Sequence, residues 1–188
     1  INPVSGVVYV ADWYEDRIFV VTDGALTAEW PTGDSPSGVA VTPDGLTILS
    51  ADRDSNQVSI FDADGIRRAV VKVGERPFGV TIDGDGRLAY TANVGSNDVS
   101  VIDIGAGETM ATIPVGQRPY EVALAGGKGF VTNSYGDSVS VFDIASRTVL
   151  DEIEVGEYPE GIDASRDGAR VYVANWMTDT LSIIDTGT

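Results

Sequence analysis

Cysteine and histidine are both absent from the 188 residues, and each absence excludes a class of chemistry. Without cysteine there is no disulfide, thiolate nucleophile or covalent haem attachment. Without histidine there is no Ser-His-Asp triad, imidazole metal ligand or histidine-ligated haem. No coherent set of acid, base and nucleophile is left, so the sequence predicts no catalytic residue and no cofactor. Oxygen-ligated metal binding remains chemically available, but no metal ligand is assigned.

Long apolar runs and positive charge are also scarce. No run approaches the roughly 20 apolar residues that a membrane span needs. Asp and Glu number 29 against 12 Lys and Arg, which gives a formal net charge of −17 and repels a phosphate backbone. We therefore predict neither a membrane span nor a nucleic-acid partner. This acidity fits either a high-salt proteome or a GC-rich genome.

The apolar content and the first residues give two further expectations. An apolar fraction of 43% is typical of a globular chain that buries a core. The chain starts at Ile1 and shows no signal-type stretch, which indicates a processed or excised chain. The lack of cysteine fits an oxidising or a reducing compartment equally well.

Three short motifs recur along the whole chain. The first ends in Asp or Asn, at steps of 40, 41, 40 and 42 residues. Its closing residues are Asp12, Asp52, Asn93, Asn133 and Asn175. The second motif spans Val58–Asp62, Val99–Asp103, Val139–Asp143, Leu181–Asp185 and, more loosely, Ile18–Asp23. The third is Gly-x-x-Pro, at Gly33–Pro36, Gly74–Pro77, Gly116–Pro119 and Gly156–Pro159.

Each period contains four short apolar runs separated by turn residues, which is the pattern of a propeller blade. The predicted fold is all-β: a β-propeller of four-stranded antiparallel blades in one domain over residues 1–188. Counting the runs gives 18 strands, or about four and a half blades. The predicted repeats are approximately 1–36, 37–77, 78–119, 120–159 and 160–188.

Turn chemistry supports this division into strands. Pro43–Gly45 and Arg166–Gly168 have the composition of hairpin turns, in which glycine supplies a positive φ. Asp62 and Asp103 close third strands, where a short carboxylate accepts hydrogen bonds from the following backbone.

These motifs resemble the YVTN family of β-propeller repeats over essentially the whole chain, and the first repeat, with Tyr9–Asp12, also resembles an NHL repeat. YVTN proteins commonly close with seven blades. The resemblance therefore implies that this open arc is part of a larger ring or needs a partner. It also implies a location in the periplasm or at the cell surface.

Ligands of propellers usually bind over the mouth of the central channel, on the face that carries two sets of loops. One set joins the second and third strands of a blade, and the other, the Gly-x-x-Pro links, joins successive blades; we call these loops the rim. Aromatic rings and arginines among them are typical of a recognition surface, although solvated loops are equally variable. The candidate binding residues are Trp13, Tyr14, Arg53, Arg76, Arg118, Tyr120, Glu121, Tyr135, Tyr158, Glu160 and Trp176.

Two acidic features are possible cation sites. Glu121 and Glu160 lie at or beside the register of the glycines at 38, 79 and 161, and could place a pair of carboxylates in the channel for a hard cation or an amine. The segments 52–56 and 83–86 have alternating oxygen ligands but no later bidentate Glu, so hairpin turns are the better interpretation.

The leading functional prediction is a non-catalytic scaffold or binding module. It would present the rim to a protein partner or a small ligand, or associate with itself through its open blade edges. The alternative implied by the resemblance is the propeller part of a periplasmic oxidoreductase, haem-maturation protein or lactonase-like enzyme whose catalytic residues lie outside this chain.

Overall fold

The computed structural model describes residues 1–187, and the regular secondary structure in that range is entirely β-strand. Eighteen strands form five antiparallel sheets, so the predicted all-β propeller architecture is confirmed. Residues 1–187 contain no helix of the length and hydropathy needed to cross a membrane.

Each sheet is one blade, and its strands pair in chain order. Blade 1 consists of β1 (Val8–Asp12), β2 (Arg17–Thr22) and β3 (Ala25–Pro31). Blade 2 consists of β4 (Pro36–Val41), β5 (Thr47–Asp52), β6 (Gln57–Asp62) and β7 (Arg67–Lys72). Blade 3 consists of β8 (Pro77–Ile82), β9 (Leu88–Asn93), β10 (Asp98–Asp103) and β11 (Glu108–Pro114). Blade 4 consists of β12 (Pro119–Ala125), β13 (Lys128–Asn133), β14 (Ser138–Asp143) and β15 (Val149–Glu154). Blade 5 consists of β16 (Pro159–Ala164), β17 (Arg170–Asn175) and β18 (Thr180–Asp185).

The first and last blades each have three strands for different reasons. Asp12 ends β1 as Asp52 ends β5, so blade 1 starts at the position of a second strand. Blade 5 has the first three strands and ends with the third. The described chain is therefore an arc of about four and a half blades, as the motif spacing predicts.

Turns between strands take the predicted form. Gly45 and Gly86 adopt φ values of 74° and 70°, which glycine tolerates without a Cβ clash. At the end of β6, the Asp62 carboxylate accepts hydrogen bonds from the backbone amides of Asp64 and Ile66, at 3.1 and 2.9 Å. These local bonds end the third strand and fix the hairpin that follows.

The apolar interior is divided into four clusters, one at each junction between adjacent blades. Between blades 1 and 2, for example, Ile18 and Trp30 pack with Ile48 and Phe61, and all four are buried. Because neighbouring blades cover each other, the middle strands are apolar on both faces.

A polar group lies buried within blade 2. Asp52, at the end of β5, is 0% exposed. Its Oδ2 accepts hydrogen bonds from the Ser59 hydroxyl at 2.6 Å, the Gln57 amide at 3.0 Å and the Gly33 backbone at 2.9 Å. Its Oδ1 accepts one from the Ser50 hydroxyl at 2.8 Å. The carboxylate therefore joins two strands to the link that enters the blade.

In blades 3 to 5 an asparagine occupies this position, and blade 4 shows the effect. The Asn133 amide donates to the hydroxyls of Ser138 and Ser140, and Ser140 in turn accepts from the backbone of Gly116 at 3.1 Å. A Cβ on Gly116 would lie only 2.4 Å from Asn133 Nδ2 and 3.0 Å from its Cβ. The Gly-x-x-Pro link therefore needs glycine because it passes directly over this buried amide.

The two ends of the arc expose apolar side chains. In blade 3, Val99 and Val101 are buried against the following blade and are both 0% exposed. Leu181 and Ile183 occupy the same registers in blade 5 and are 60% and 58% exposed. We call the surface formed by Leu181 and Ile183 the trailing face. At the other end, Val10 of blade 1 is 45% exposed.

Candidate functional site

The two sets of rim loops lie on one face of the arc, because backbone hydrogen bonds tie them together. In blade 3, the Val94 amide of the loop donates to the Arg76 carbonyl of the incoming link at 3.0 Å. The Val73 amide of the same link donates to Asn56 of the preceding blade at 3.2 Å. Each link is therefore held from both sides, and its side chains are presented on a fixed backbone.

A second contact sets the direction of the residue before each link proline. Arg76 and Arg118 have φ values of 55° and 54°, an uncommon conformation for residues other than glycine. Their backbone amides donate to the side-chain oxygens of Asn56 and Asn97, both at 2.8 Å. The equivalent pairs in the other blades are Ser35 with Asp16 and Tyr158 with Asp137.

The structure brings the three predicted arginines together around one depression of about 370 Å³, which we call the basic depression. The Arg53 guanidinium pairs with Asp54 at 2.6 Å and lies 5.1 Å from the centre of the Trp13 ring. The Arg118 guanidinium lies over Tyr135, 4.4 Å from the ring centre, and donates to its hydroxyl. The lining residues are Arg53, Arg76, Val94, Gly95, Asn97, Gln117, Arg118 and Tyr135.

Three predicted aromatic residues form a row across blades 4 and 5. Tyr135 and Tyr158 meet edge to face with ring centres 5.3 Å apart, and Tyr158 and Trp176 do so at 6.0 Å. Trp176 is 65% exposed. Next to this row is a second depression, of about 400 Å³, lined by Tyr135, Tyr158 and Met177 among others. The row offers apolar surface beside the arginines, a combination found in interface anchors.

A separate aromatic group lies nearer the channel. Phe78 and Tyr120 have ring centres 4.0 Å apart, and Trp13 lies 6.1 Å from Phe78. Phe78 is not among the predicted site residues, although its position directly after a link proline is the same as that of Tyr120. Tyr14 is 90% exposed, and no ring contact joins it to the other described aromatic residues.

Glu121 and Glu160 both line a channel depression of about 260 Å³, but they are not equivalent. Glu121 takes the register of Gly79, and its Oε2 accepts a hydrogen bond from the Ile162 amide of the next blade at 3.2 Å. Glu160 lies one residue before Gly161 and so shares the register of Tyr120.

Burial raises the pKa of the Glu121 carboxyl, the Ile162 hydrogen bond partly offsets this rise, and nearby Asp163 adds to it. Because the folded pKa lies above the unfolded one, ionisation of Glu121 costs stability at neutral pH. This cost disappears as the pH falls below the unfolded pKa.

We expect Glu121→Gln to raise the melting temperature at neutral pH, because glutamine keeps an acceptor for the Ile162 amide and removes the buried charge. The gain should shrink to nothing at acidic pH, as measured by thermal unfolding over a pH series. Glu160→Gln, which removes the same charge nearby, is the matched control. A gain in both variants, or one that persists in acid, contradicts the prediction.

In each of the two acidic segments considered for calcium, the first carboxylate is used within the protein. Asp52 is engaged by its four donors, and the Asp83 carboxylate accepts a hydrogen bond from the Arg87 amide at 2.8 Å. Over residues 1–187 there is no group of three or more Asp or Glu residues that could hold a metal ion. The turn interpretation therefore accounts for both segments.

Comparison with known proteins adds a family match and similar folds. A family model described as a YNCE-like beta-propeller matches residues 1–170. No curated protein sequence matches the chain. A solved chain of hydrazine synthase from Kuenenia stuttgartiensis is similar with a TM-score of 0.90 and 24% identity, over 99% of this chain and 61% of that one. A functionally unknown protein from Desulfotomaculum acetoxidans DSM 771 has a TM-score of 0.82 and 20% identity, over 98% of this chain and 67% of that one.

This chain therefore spans less than two thirds of the length of the hydrazine synthase chain. At these identities, both likenesses concern the fold.

Proposed function

The chain belongs to the YNCE-like β-propeller family, and we propose that it is a non-catalytic propeller module of the YVTN type that binds a protein partner through its rim. The observation that carries this proposal is the convergence of Arg53, Arg76 and Arg118 on one depression. In a chain with a net charge of −17, such a local excess of positive charge can select and orient a partner.

The aromatic row next to the basic depression supports the same role. Tyr135 belongs to both features, so the charged and apolar parts of the rim are continuous. Aromatic and arginine side chains together contribute much of the binding energy at protein interfaces. In the second form of this proposal, the same rim residues bind a small ligand instead of a protein.

We also propose self-association through the open blade edges as a second way of binding protein. The trailing face supports it, because Leu181 and Ile183 are exposed where the equivalent valines of blade 3 are buried. We propose a location in the periplasm or at the cell surface for the whole protein, as the resemblance to YVTN proteins implies.

The alternative is the propeller part of an oxidoreductase, haem-maturation or lactonase-like enzyme whose catalytic residues lie outside this chain. The shared fold of the hydrazine synthase chain keeps this alternative open. Substrate-dependent turnover by the isolated chain would contradict the non-catalytic proposal. The absence of histidine and cysteine favours the binding module.

Partner capture with matched arginine variants tests the proposed function. The immobilised chain is incubated with soluble extract of its source organism, and bound proteins are quantified by mass spectrometry. We expect the recovered amount of a protein that the wild type retains to fall at least about tenfold with Arg76→Ala/Arg118→Ala, because charge-assisted hydrogen bonds are lost.

The control is Arg67→Ala/Arg68→Ala, which removes two exposed arginines from β7, away from the rim. It should retain the same protein at the wild-type level. Equal recovery by the rim variant and the wild type would overturn the rim as the binding surface.

A further inference from the structure

The basic depression differs in charge from the rest of the chain. Its eight lining residues include three of the 12 basic residues and none of the 29 acidic ones. Its other polar side chains are the amides of Asn97 and Gln117 and the hydroxyl of Tyr135. The lining is therefore rich in hydrogen-bond donors and has no carboxylate.

Blade 3 has a glycine at one of the loop positions that line the depression. The backbone amide of Gly95 donates to Glu75 of the incoming link at 2.8 Å, as the amides of equivalent residues do in blades 2, 4 and 5. Those equivalent residues are Asp54, Tyr135 and Met177. A Cβ on Gly95 would lie 2.8 Å from the Cβ of Glu75, so the link packs closely against this glycine. No side chain projects from the loop position that Asp54, Tyr135 and Met177 occupy in the other blades.

The fold does not require arginine at positions 76 and 118. The inter-blade contact at positions 76 and 118 uses the backbone amide, and Ser35 and Tyr158 make the same contact in other blades. The backbone therefore holds positions 76 and 118 without using the arginine side chains, and the Arg118 side chain instead contacts Tyr135.

The hydrogen-bonding capacity of these arginines is incompletely used. Among the residues that the structure describes, Arg76 and Arg118 have no ion pair, whereas Arg53 is paired with Asp54. The buried Nε of Arg118 has no hydrogen-bond partner, although its Nη1 donates to Tyr135. An N–H group removed from water without an acceptor is costly, so the donors of Arg118 are not all satisfied within the protein.

We infer that the basic depression binds a carboxylate presented by an acidic segment of the protein partner; this inference rests on the proposed function. A guanidinium offers two parallel N–H groups that match the two oxygens of a carboxylate. A phosphate presents oxygens of similar spacing and comparable charge to an arginine, so phosphate is the competing ligand in the test. Because the whole chain has a net charge of −17, the carboxylate-free lining of the depression favours an acidic segment there over most of the chain.

The test is a titration in which NMR monitors the backbone amides, with four probes at constant ionic strength. Succinate supplies carboxylate, succinamide is its neutral analogue, inorganic phosphate is the competing oxyanion, and an end-blocked Glu-Glu-Tyr peptide represents the partner segment. We expect saturable shifts at Gly95, Asn97 and Arg118 with succinate, larger affinity for the peptide, and no saturable shift with succinamide.

Two double variants of the full chain show which residues bind succinate and the peptide. Arg76→Ala/Arg118→Ala should weaken succinate and peptide binding by at least about tenfold, because two charge-assisted contacts are lost. Arg67→Ala/Arg68→Ala should leave both affinities within about twofold, because β7 lies outside the depression.

Three results would overturn the inference: no saturable shift with succinate or the peptide, unchanged binding in the rim variant, or phosphate binding as tightly as succinate. Tighter binding of succinate than of the peptide would overturn the part of the inference that assigns the carboxylate to an acidic segment of a protein. If partner capture depends on the arginines while no carboxylate binds, this inference fails and the proposed function stands. If the peptide binds while capture is unaffected, the proposed function fails.

Discussion

Replacing Asp52 with alanine should lower the free energy of unfolding by about 3 kcal/mol, because it leaves several buried donors without an acceptor. The side chain is fully buried and accepts four hydrogen bonds. Two come from the hydroxyls of Ser50 and Ser59, which are themselves 0% exposed. Equilibrium unfolding in urea, followed by tryptophan fluorescence, measures the loss.

Asp52→Asn should cost less than about 1 kcal/mol, because hydroxyl groups can reverse their donor and acceptor roles. Blade 4 already contains that arrangement, in which Ser140 accepts from Asn133 and from the link glycine. Asp64→Ala removes an equal charge from an exposed turn and controls for net charge. An Asn variant as unstable as the Ala variant would show that the charge, rather than the hydrogen-bond network, stabilises blade 2.

The isolated chain should associate with itself in a salt-dependent way, and Leu181→Glu/Ile183→Glu should abolish that association. Two large apolar side chains are exposed at 60% and 58% on the trailing face, where a following blade would cover them. The net charge of −17 repels a second copy at low salt, and screening at high salt removes that barrier. Light scattering across a concentration series should therefore give a mass above 19.8 kDa at high salt.

Leu46→Glu/Ile66→Glu is the matched control, since both residues are similarly exposed, at 62% and 53%, in turns of blade 2. This variant adds the same charge away from the trailing face and should associate like the wild type. A wild-type monomer at low and high salt would contradict the prediction and mean that the open arc is tolerated in isolation.

The sequence predicts most of the fold because each recurring motif has a local physical cause. Asp62 ends a strand through bonds to amides two and four residues away, and this pattern is visible in the sequence itself. The run predicted to begin at Val99 corresponds to β10, Asp98–Asp103. The need for glycine in the link has no such local cause. It arises because Gly116 packs against Asn133, which is 17 positions further along the chain.

The candidate site is harder to predict because it depends on contacts between blades. Phe78 shares its register with Tyr120, but the contact between their rings depends on the spacing of two inner strands. The positive φ of Arg76 requires Asn56, which belongs to a loop of the preceding blade. The sequence predicts Arg53, Arg76 and Arg118 as rim residues, but their convergence on one depression depends on how the loops of three blades lie next to each other.

The division of the apolar interior into four junction clusters affects how the molecule comes apart. Detaching blade 1 or blade 5 breaks one junction, whereas opening blade 3 breaks two. Stability is then close to a sum of nearest-neighbour terms, and local unfolding starts at the ends and moves inward. The loops around the basic depression belong to blades 2 to 4, the part of the arc that unravels last.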